Sequence, residues 1–271
     1  MNGLLRIVTF LGCWLVPAGA SVAMGALAAT DSAVSDPKPA YARVPYAPGE
    51  FLLFSIDYGP VNAGEASLEV RDMVESDGRL CYRVESKAIS NRFFSAFYMV
   101  RDKVVSHIDA ETLFSRYFSK RLREGDYRKN IAIRFDHEAG VAHYADRREL
   151  EIPFGVHDIL SAFYFVRTMD LQPGASAFIH THSSHKNYDL EVIVHGRETV
   201  SVPAGTFDCF KVEPIILGEG LFQFEGKLTI WLTADERRLP VLMKTKVKVG
   251  AIDASLKEFT MGETLPEAGP R

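Results

Sequence analysis

Three histidines with the spacing of metal ligands lie in the segment His-Thr-His-Ser-Ser-His, at His180, His182 and His185. If residues 177–182 form a strand, His180 and His182 project from the same face and His185 lies on the following turn. Imidazole nitrogens bind zinc and copper, so the group is a candidate metal site. No Asp, Glu or Cys stands beside it to complete a ligand shell. The alternative is a polar hairpin tip whose imidazoles face water.

Aromatic residues make up 11% of the chain and cluster at three places. The simplest interpretation is ordinary filling of a hydrophobic core. The sharper hypothesis is a lipophilic cavity, in which a curved sheet closed by an aromatic helix holds a small apolar ligand. The candidate ligand-binding residues are Phe93, Phe94, Phe97, Phe163, Tyr164, Phe222 and Phe224.

Thiol chemistry is restricted to three cysteines, of which Cys13 lies in an apolar N-terminal segment. The other two, Cys81 and Cys209, form a disulfide in an oxidising compartment if their strands are neighbours. Two free thiols fit the sequence equally well. No C-x-x-C pair suggests a zinc or redox site.

Signatures of catalysis and of nucleic-acid binding are missing from the sequence. There is no Gly-x-Ser-x-Gly nucleophile elbow. Lys and Arg total 31 against 35 for Asp and Glu, a net charge of −4 that supplies no basic field for a phosphate backbone. The sequence therefore predicts a protein that is not an enzyme, requires no cofactor and does not bind nucleic acid.

The N-terminal segment has the pattern of a secretory signal peptide. Arg6 is the only charge before Asp31, residues 7–29 are apolar or small, and Ala26-Leu27-Ala28 has the A-x-A form. We expect cleavage after Ala28. An uncleaved anchor is the first alternative, because residues 7–29 are long enough to cross a bilayer, and a lipoprotein cleavage site at Cys13 is the second. No later stretch approaches the ~18 apolar residues of a membrane span, so none is expected after cleavage.

Beyond the leader, residues 29–45 are rich in Ala, Pro and Ser and predict a disordered linker. Residues 46–262 alternate apolar and polar side chains in short runs separated by turn residues, as antiparallel strands do. They predict a single β-rich domain, with two lobes meeting near residues 153–172 as the alternative. Residues 263–271 predict a flexible tail.

One segment breaks the alternation. Residues 158–170 place apolar side chains at steps of three and four after Asp158, a good N-cap, and predict a helix. Residues 91–97 fit either a second helical turn or a bulged strand. The predicted fold is all-β: an antiparallel, strongly curved sheet or open barrel with one packed helix near the middle of the chain.

Several short motifs follow one another along residues 46–259. They are Pro45–Glu50 leading into Tyr58–Gly59 and Ala63–Ala66, Asp158–Tyr164 with Arg167, Val202–Phe207, and Ile230–Leu232 with Asp235 and Arg238–Val241. In this order they resemble the domain of unknown function 3108 family. The resemblance implies an exported protein of Gram-negative envelopes, built mainly from antiparallel strands. It implies no reaction and no catalytic residues.

Together these patterns predict a non-enzymatic periplasmic protein of the cell envelope that binds an apolar ligand, such as a lipid or a lipoprotein chain. The alternative is a structural or protein-interaction element that uses sheet edges or the strand faced by Lys244, Lys246 and Lys248. A metal-dependent enzyme centred on the histidines is a third hypothesis.

Overall fold

The computed structural model describes residues 44–217, 227–246 and 250–263. The predicted leader, residues 29–43 of the predicted linker and residues 264–271 of the predicted tail lie outside the described residues. So do Phe222 and Phe224 of the aromatic set, and Lys248 of the lysine-faced strand.

Fourteen strands and two helices are present in the described ranges. The elements are β1 (Phe51–Tyr58), β2 (Val61–Ser76), β3 (Arg79–Ser90), α1 (Arg92–Ser95), β4 (Arg101–Asp109), β5 (Ser115–Glu124), β6 (Tyr127–Asp136), β7 (Val141–Tyr144), β8 (Glu149–Glu151), α2 (Ile159–Val166), β9 (Ser176–Ser183), β10 (Lys186–Val202), β11 (Gly205–Leu217), β12 (Leu228–Thr233), β13 (Pro240–Lys246) and β14 (Ala251–Thr260).

All fourteen strands join one antiparallel sheet, in the order β8-β7-β6-β5-β4-β3-β2-β1-β14-β13-β12-β11-β10-β9. The first strand pairs with the last in the middle of the sheet, and the chain extends from there to both edges. Pairing does not close the sheet, since β8 and β9 are its two ends. The predicted all-β fold, an antiparallel and strongly curved open sheet with a helix near the middle of the chain, is confirmed.

Strict alternation in sequence produces the buried face of each strand. In β1, Leu52, Phe54 and Ile56 are buried, and the residues between them are partly exposed. Register shifts interrupt several ladders, among them β2 with β3 near Val70 and β10 with β11 near Val194. An extra residue in one strand bends and twists the pair, so these bulges help the long strands to curve around one core.

Helix α2 begins where the sequence predicts and ends earlier. The carboxylate of Asp158 accepts hydrogen bonds from the backbone N–H groups of Leu160 and Ser161, as an N-cap does. Beyond Val166, Thr168 and other residues bond to carbonyls three positions back, so the chain tightens into turns instead of continuing the predicted helix to residue 170. Residues 91–97 do form a helical turn, α1, capped by the Asn91 side chain.

The segment before α2 lies between the start of β5 and the edge strand β9. The N–H of Ser115 in β5 donates to the carbonyl of Val156 over 3.3 Å. His157 exchanges two backbone hydrogen bonds of 2.8 Å with β9, to the carbonyl of His180 and from the N–H of His182. A short stretch of extended chain therefore bridges a gap that strand pairing leaves open, and it satisfies backbone groups of the β9 edge.

A fully buried ion pair holds the end of α2. The guanidinium of Arg167 donates to both carboxylate oxygens of Glu50, over 2.6 and 2.8 Å, and neither side chain is exposed. It also donates to the backbone carbonyls of Pro45, Arg237 and Arg238. The single side chain thus connects the entry to β1, the helix and the turn between β12 and β13.

Two tyrosines cover this ion pair. The guanidinium carbon of Arg167 lies 5.4 Å from the ring centre of Tyr46 and 5.1 Å from that of Tyr164. The two rings meet edge-on with their centres 4.9 Å apart. Cation–π contact and exclusion of water both strengthen a charge pair that has already been desolvated.

We expect Arg167→Met and Glu50→Gln each to lower the free energy of unfolding by about 3–5 kcal/mol, because each removes one partner and leaves buried polar groups unpaired. The joint replacement by two leucines should cost less than the sum of the single changes. Urea unfolding followed by circular dichroism measures these effects.

The matched control is Lys257→Met, which removes an exposed ion pair with Glu65 and should change stability little. A loss from Arg167→Met no larger than that of the control would contradict the structural role of the buried pair.

Candidate functional site

The three candidate metal ligands do not meet, because hydrogen bonds and ring contacts hold each of them against different neighbours. Both ring nitrogens of His182 are engaged, Nε2 by the hydroxyl of Tyr144 and Nδ1 by Oδ1 of Asn187, each at 2.6 Å. His180 is exposed, and its Nδ1 lies 2.7 Å from a carboxylate oxygen of Asp189. His182 therefore has no free lone pair with which to bind a metal ion together with His180.

His185 turns away from both. Ser184 and His185 have positive φ angles of 51° and 68°, and the resulting turn stacks the His185 ring on Tyr144 at 4.6 Å. Within the described ranges, no group of three His, Cys, Asp or Glu residues is placed to hold a metal ion. The structure therefore does not bring the three candidate ligands His180, His182 and His185 together; His182 and His185 pack on Tyr144 and connect β7 to the β9–β10 hairpin.

Cys81 and Cys209 are free and buried, which is the alternative to a disulfide that the sequence left open. Cys81 is in β3 and Cys209 in β11, and five strands separate these two in the sheet. Burial raises the pKa of each thiol to about 12. Both cysteines are structural residues rather than nucleophiles.

The predicted aromatic set is divided between core and surface. Tyr164 is fully buried beside Arg167, and Phe94 and Phe163 pack at the margin of the core. Phe93 and Phe97 are 65% and 75% exposed. Among the described residues no ring contact joins the aromatics of α1 to those of α2.

Phe93, Phe97 and the neighbouring Ile89 form an exposed apolar patch, which we call the α1 surface. The rings of Phe93 and Phe97 meet edge-on at 5.5 Å, and Ile89 at the end of β3 is 52% exposed. Exposed phenylalanines that cluster in this way mark interaction sites more often than single exposed residues do.

Hydrogen bonds fix the base of the α1 surface. The Asn91 carboxamide caps α1 by accepting from the N–H of Phe94 over 2.9 Å, and it donates to the carbonyl of Asn62 over 2.7 Å. The N–H of Asn91 donates to the carbonyl of Ala63 in β2. The helical turn is thus tied to β2 and holds its phenylalanines outward.

A second buried polar group, Asp158, follows the segment that links β5 to β9. The Asp158 carboxylate accepts from the hydroxyls of Ser106 and Ser115 in addition to its helix-capping bonds. Burial raises the pKa of Asp158, and these hydrogen bonds oppose the rise. Burial also lowers the pKa of the adjacent His157 to about 3, and His157 Nδ1 has no hydrogen-bond partner among the described residues.

Sequence reasoning missed the pairing of Glu50 with Arg167 and the contacts of Asp158 with two serines. Glu50, Asp158 and Arg167 all stand in the motifs quoted above, so the motifs carried the signal. Within the described chain, no helix is sufficiently long and apolar to span a membrane.

The fold defines a β-barrel-like protein: one long antiparallel sheet curved around a core, with a segment before the helix that links β5 to β9. The sequence profile of the family described as Protein of unknown function (DUF3108) matches residues 53–257. The chain belongs to this family, which confirms the resemblance. No curated protein matches the chain in sequence.

One solved structure resembles it in fold, and two others are more distantly similar. A β-barrel-like protein of domain of unknown function DUF1849 from Brucella abortus has a TM-score of 0.58 and 9% identity, covering 82% of this chain and 100% of its own. A protein predicted to be exported, with a YmcC-like fold, from Bacteroides fragilis has a TM-score of 0.37 and 13% identity over 80% and 98% of the two chains. A predicted lipoprotein from Parabacteroides distasonis has a TM-score of 0.35 and 12% identity over 80% and 99%.

We expect Cys81 and Cys209 to resist a maleimide reagent in the native protein, because both thiols are buried and their pKa values are raised to about 12. Both should react after unfolding in denaturant without reductant. Mass spectrometry of the labelled peptides checks this. A peptide pair joined through the two cysteines in the unreduced protein would contradict it.

Lowering the pH should lower the free energy of unfolding, because His157 has different pKa values in the folded and the unfolded protein. An imidazole of the unfolded chain titrates near pH 6.5, and burial lowers the folded pKa of His157 to about 3. The unfolded state takes up the proton first, so this contribution is present above about pH 6.5 and is lost as the pH falls toward 3.

The free energy of unfolding of the unchanged protein should fall between about pH 7.5 and about pH 5.5. The variant His157→Phe should make this fall smaller by roughly 1.4 kcal/mol. Urea unfolding at the two pH values measures this difference. The control His180→Gln changes an exposed imidazole on β9. An equal reduction in both variants would assign the pH dependence to other groups.

Proposed function

We propose that this protein is a non-enzymatic, exported component of the cell envelope, located in the periplasm, and that it binds an apolar ligand such as a lipid or a lipoprotein chain through the α1 surface. The observation that carries the proposal is the exposure of Phe93 and Phe97 on a rigid helical turn. Each would bury its ring on contact with an acyl chain, a gain of roughly 1.5–3 kcal/mol per side chain.

The distribution of the core supports an external ligand site. One continuous cluster of buried side chains runs from β1 through β14 and includes Phe54, Leu68 and Tyr164. These side chains pack against one another in a single core. Among the exposed large apolar side chains, Phe93 and Phe97 are in ring contact with each other on the α1 surface.

Export is supported by the signal-peptide pattern of residues 1–28. A binding role rather than a catalytic one is supported by the state of the reactive groups. Both described cysteines are buried with raised pKa values, and both ring nitrogens of His182 are engaged.

The edges of the sheet favour ligand binding over strand addition. Edge strand β8 has three residues and exposes Glu149 and Glu151, and acidic, short edges resist pairing with another chain. The other edge strand, β9, already bonds to His157. A structural role through added strands would require these contacts to be displaced.

We expect the double variant Phe93→Ser/Phe97→Ser to bind an uncharged acyl probe, a fluorescent diacylglycerol analogue, at least about tenfold more weakly than the unchanged protein. Fluorescence titration measures the affinity, and organic extraction of the purified protein shows whether a native lipid is retained.

The matched control is Phe154→Ser/Phe178→Ser, which alters two phenylalanines of similar exposure, 72% and 61%, elsewhere on the surface. Equal losses in the two double variants, or no binding by the unchanged protein, would refute the proposed site.

A further inference from the structure

The outer face of strands β4, β5 and β6 carries three arginines in line. The strand registers place Arg101 opposite Arg123 and Arg123 opposite Arg128. All three side chains are exposed. We call them the arginine row.

The arginine row has no acidic counterpart. Like charges directly opposite each other destabilise a pair of strands. Arg128 donates to the backbone carbonyls of Gly125 and Tyr127, over 2.5 and 2.8 Å. Within the described part of the chain, none of the three forms an ion pair with a carboxylate. The fold therefore carries a repulsive arrangement that an external anion would relieve.

The adjacent row of cations shows the contrast. Lys87 and Lys103 also face each other across β3 and β4, and Glu85 lies 2.6 Å from both ammonium groups. Arg121 continues this row on β5 and is exposed. The chain as a whole has a net charge of −4, so the positive charge on this face is a local concentration.

The arginine row and the α1 surface are held together at one end of the sheet. The N–H of Gly125, in the turn between β5 and β6, donates to the carbonyl of Met99 over 2.8 Å. The Tyr98 ring covers Gly125 so closely that a Cβ there would lie 2.7 Å from it. Ile89 of the α1 surface pairs directly with Arg101. Apolar and cationic groups thus form one continuous face.

We propose that this face docks onto the surface of a lipid bilayer that contains anionic phospholipids. Phe93 and Phe97 enter the boundary between headgroups and acyl chains, and the arginine row binds headgroup phosphates. Aromatic side chains beside a cluster of arginines match the two layers of such an interface, one apolar and one anionic. The inference rests on the proposed function and adds to it the class of headgroup.

The test is co-sedimentation with two kinds of vesicle, one of phosphatidylcholine and one of phosphatidylcholine mixed with phosphatidylglycerol. The protein is produced with its own leader and purified in the form that the cell yields, so every variant has the same N-terminus. The expected result is at least about tenfold stronger partitioning onto the anionic vesicles at about 0.1 M salt, and loss of this preference at about 1 M salt.

Arg101→Gln/Arg123→Gln should lower partitioning onto anionic vesicles at least about tenfold. Because it removes like-charge repulsion, it should leave the urea midpoint unchanged or raise it. The stronger variant Arg101→Glu/Arg123→Glu should abolish the anionic preference. The charge-matched control Lys186→Glu/Lys246→Glu, at exposed positions on other strands, should retain it.

Each outcome separates the inference from the proposed function. Equal partitioning onto both vesicles, with sensitivity to Phe93→Ser/Phe97→Ser but not to the arginine variants, overturns the headgroup inference and leaves apolar binding in place. Anionic partitioning without binding of the uncharged probe supports the docking face and overturns the proposed acyl site. Loss of binding in the lysine control equal to that in the arginine variants also overturns the inference.

Discussion

The buried contact between Arg167 and Glu50 is the constraint around which the rest of the structure is arranged. An isolated charge in a protein interior is so costly that each partner must find the other and satisfy its remaining hydrogen-bonding groups. The Arg167 guanidinium donates five hydrogen bonds, and their acceptors lie in two separate parts of the chain, residues 45–50 and 237–238. Any packing of α2 that displaced these groups would leave a charge unpaired, so the pair specifies one position for the helix.

The position of α2 in turn determines how the open sheet is completed. The segment leading into the helix bonds to β5 on one side and to β9 on the other. Asp158 caps the helix and also accepts from Ser106 and Ser115 on the facing strands. Polar groups that a curved but unclosed sheet would leave unsatisfied are therefore paired through one short stretch of chain, at the cost of burying His157.

The surface differs from the core in the pairing of its charges and in the exposure of its aromatic side chains. Inside, Arg167 is paired with Glu50 and Asp158 with two hydroxyl groups, whereas Arg101, Arg123 and Arg128 face one another and form no ion pair with a carboxylate among the described residues. The neighbouring phenylalanines of α1 are exposed although the same chain buries Tyr164 completely. These groups form the binding surface proposed above.

Local rules in the sequence determined much of this protein. Alternation in β1, the cap Asp158 and the helical spacing of α2 depend on residues a few positions apart, so they could be predicted along with the open antiparallel sheet. Only the tertiary structure decided that Arg167 meets Glu50, 117 positions away, and that five strands separate Cys81 from Cys209. The tertiary structure also decided that the arginines of three strands align, and that the hydroxyl of Tyr144 forms a hydrogen bond with Nε2 of His182. These relations depend on strand register and on the order of strands in the sheet, which the pattern of any one segment does not contain.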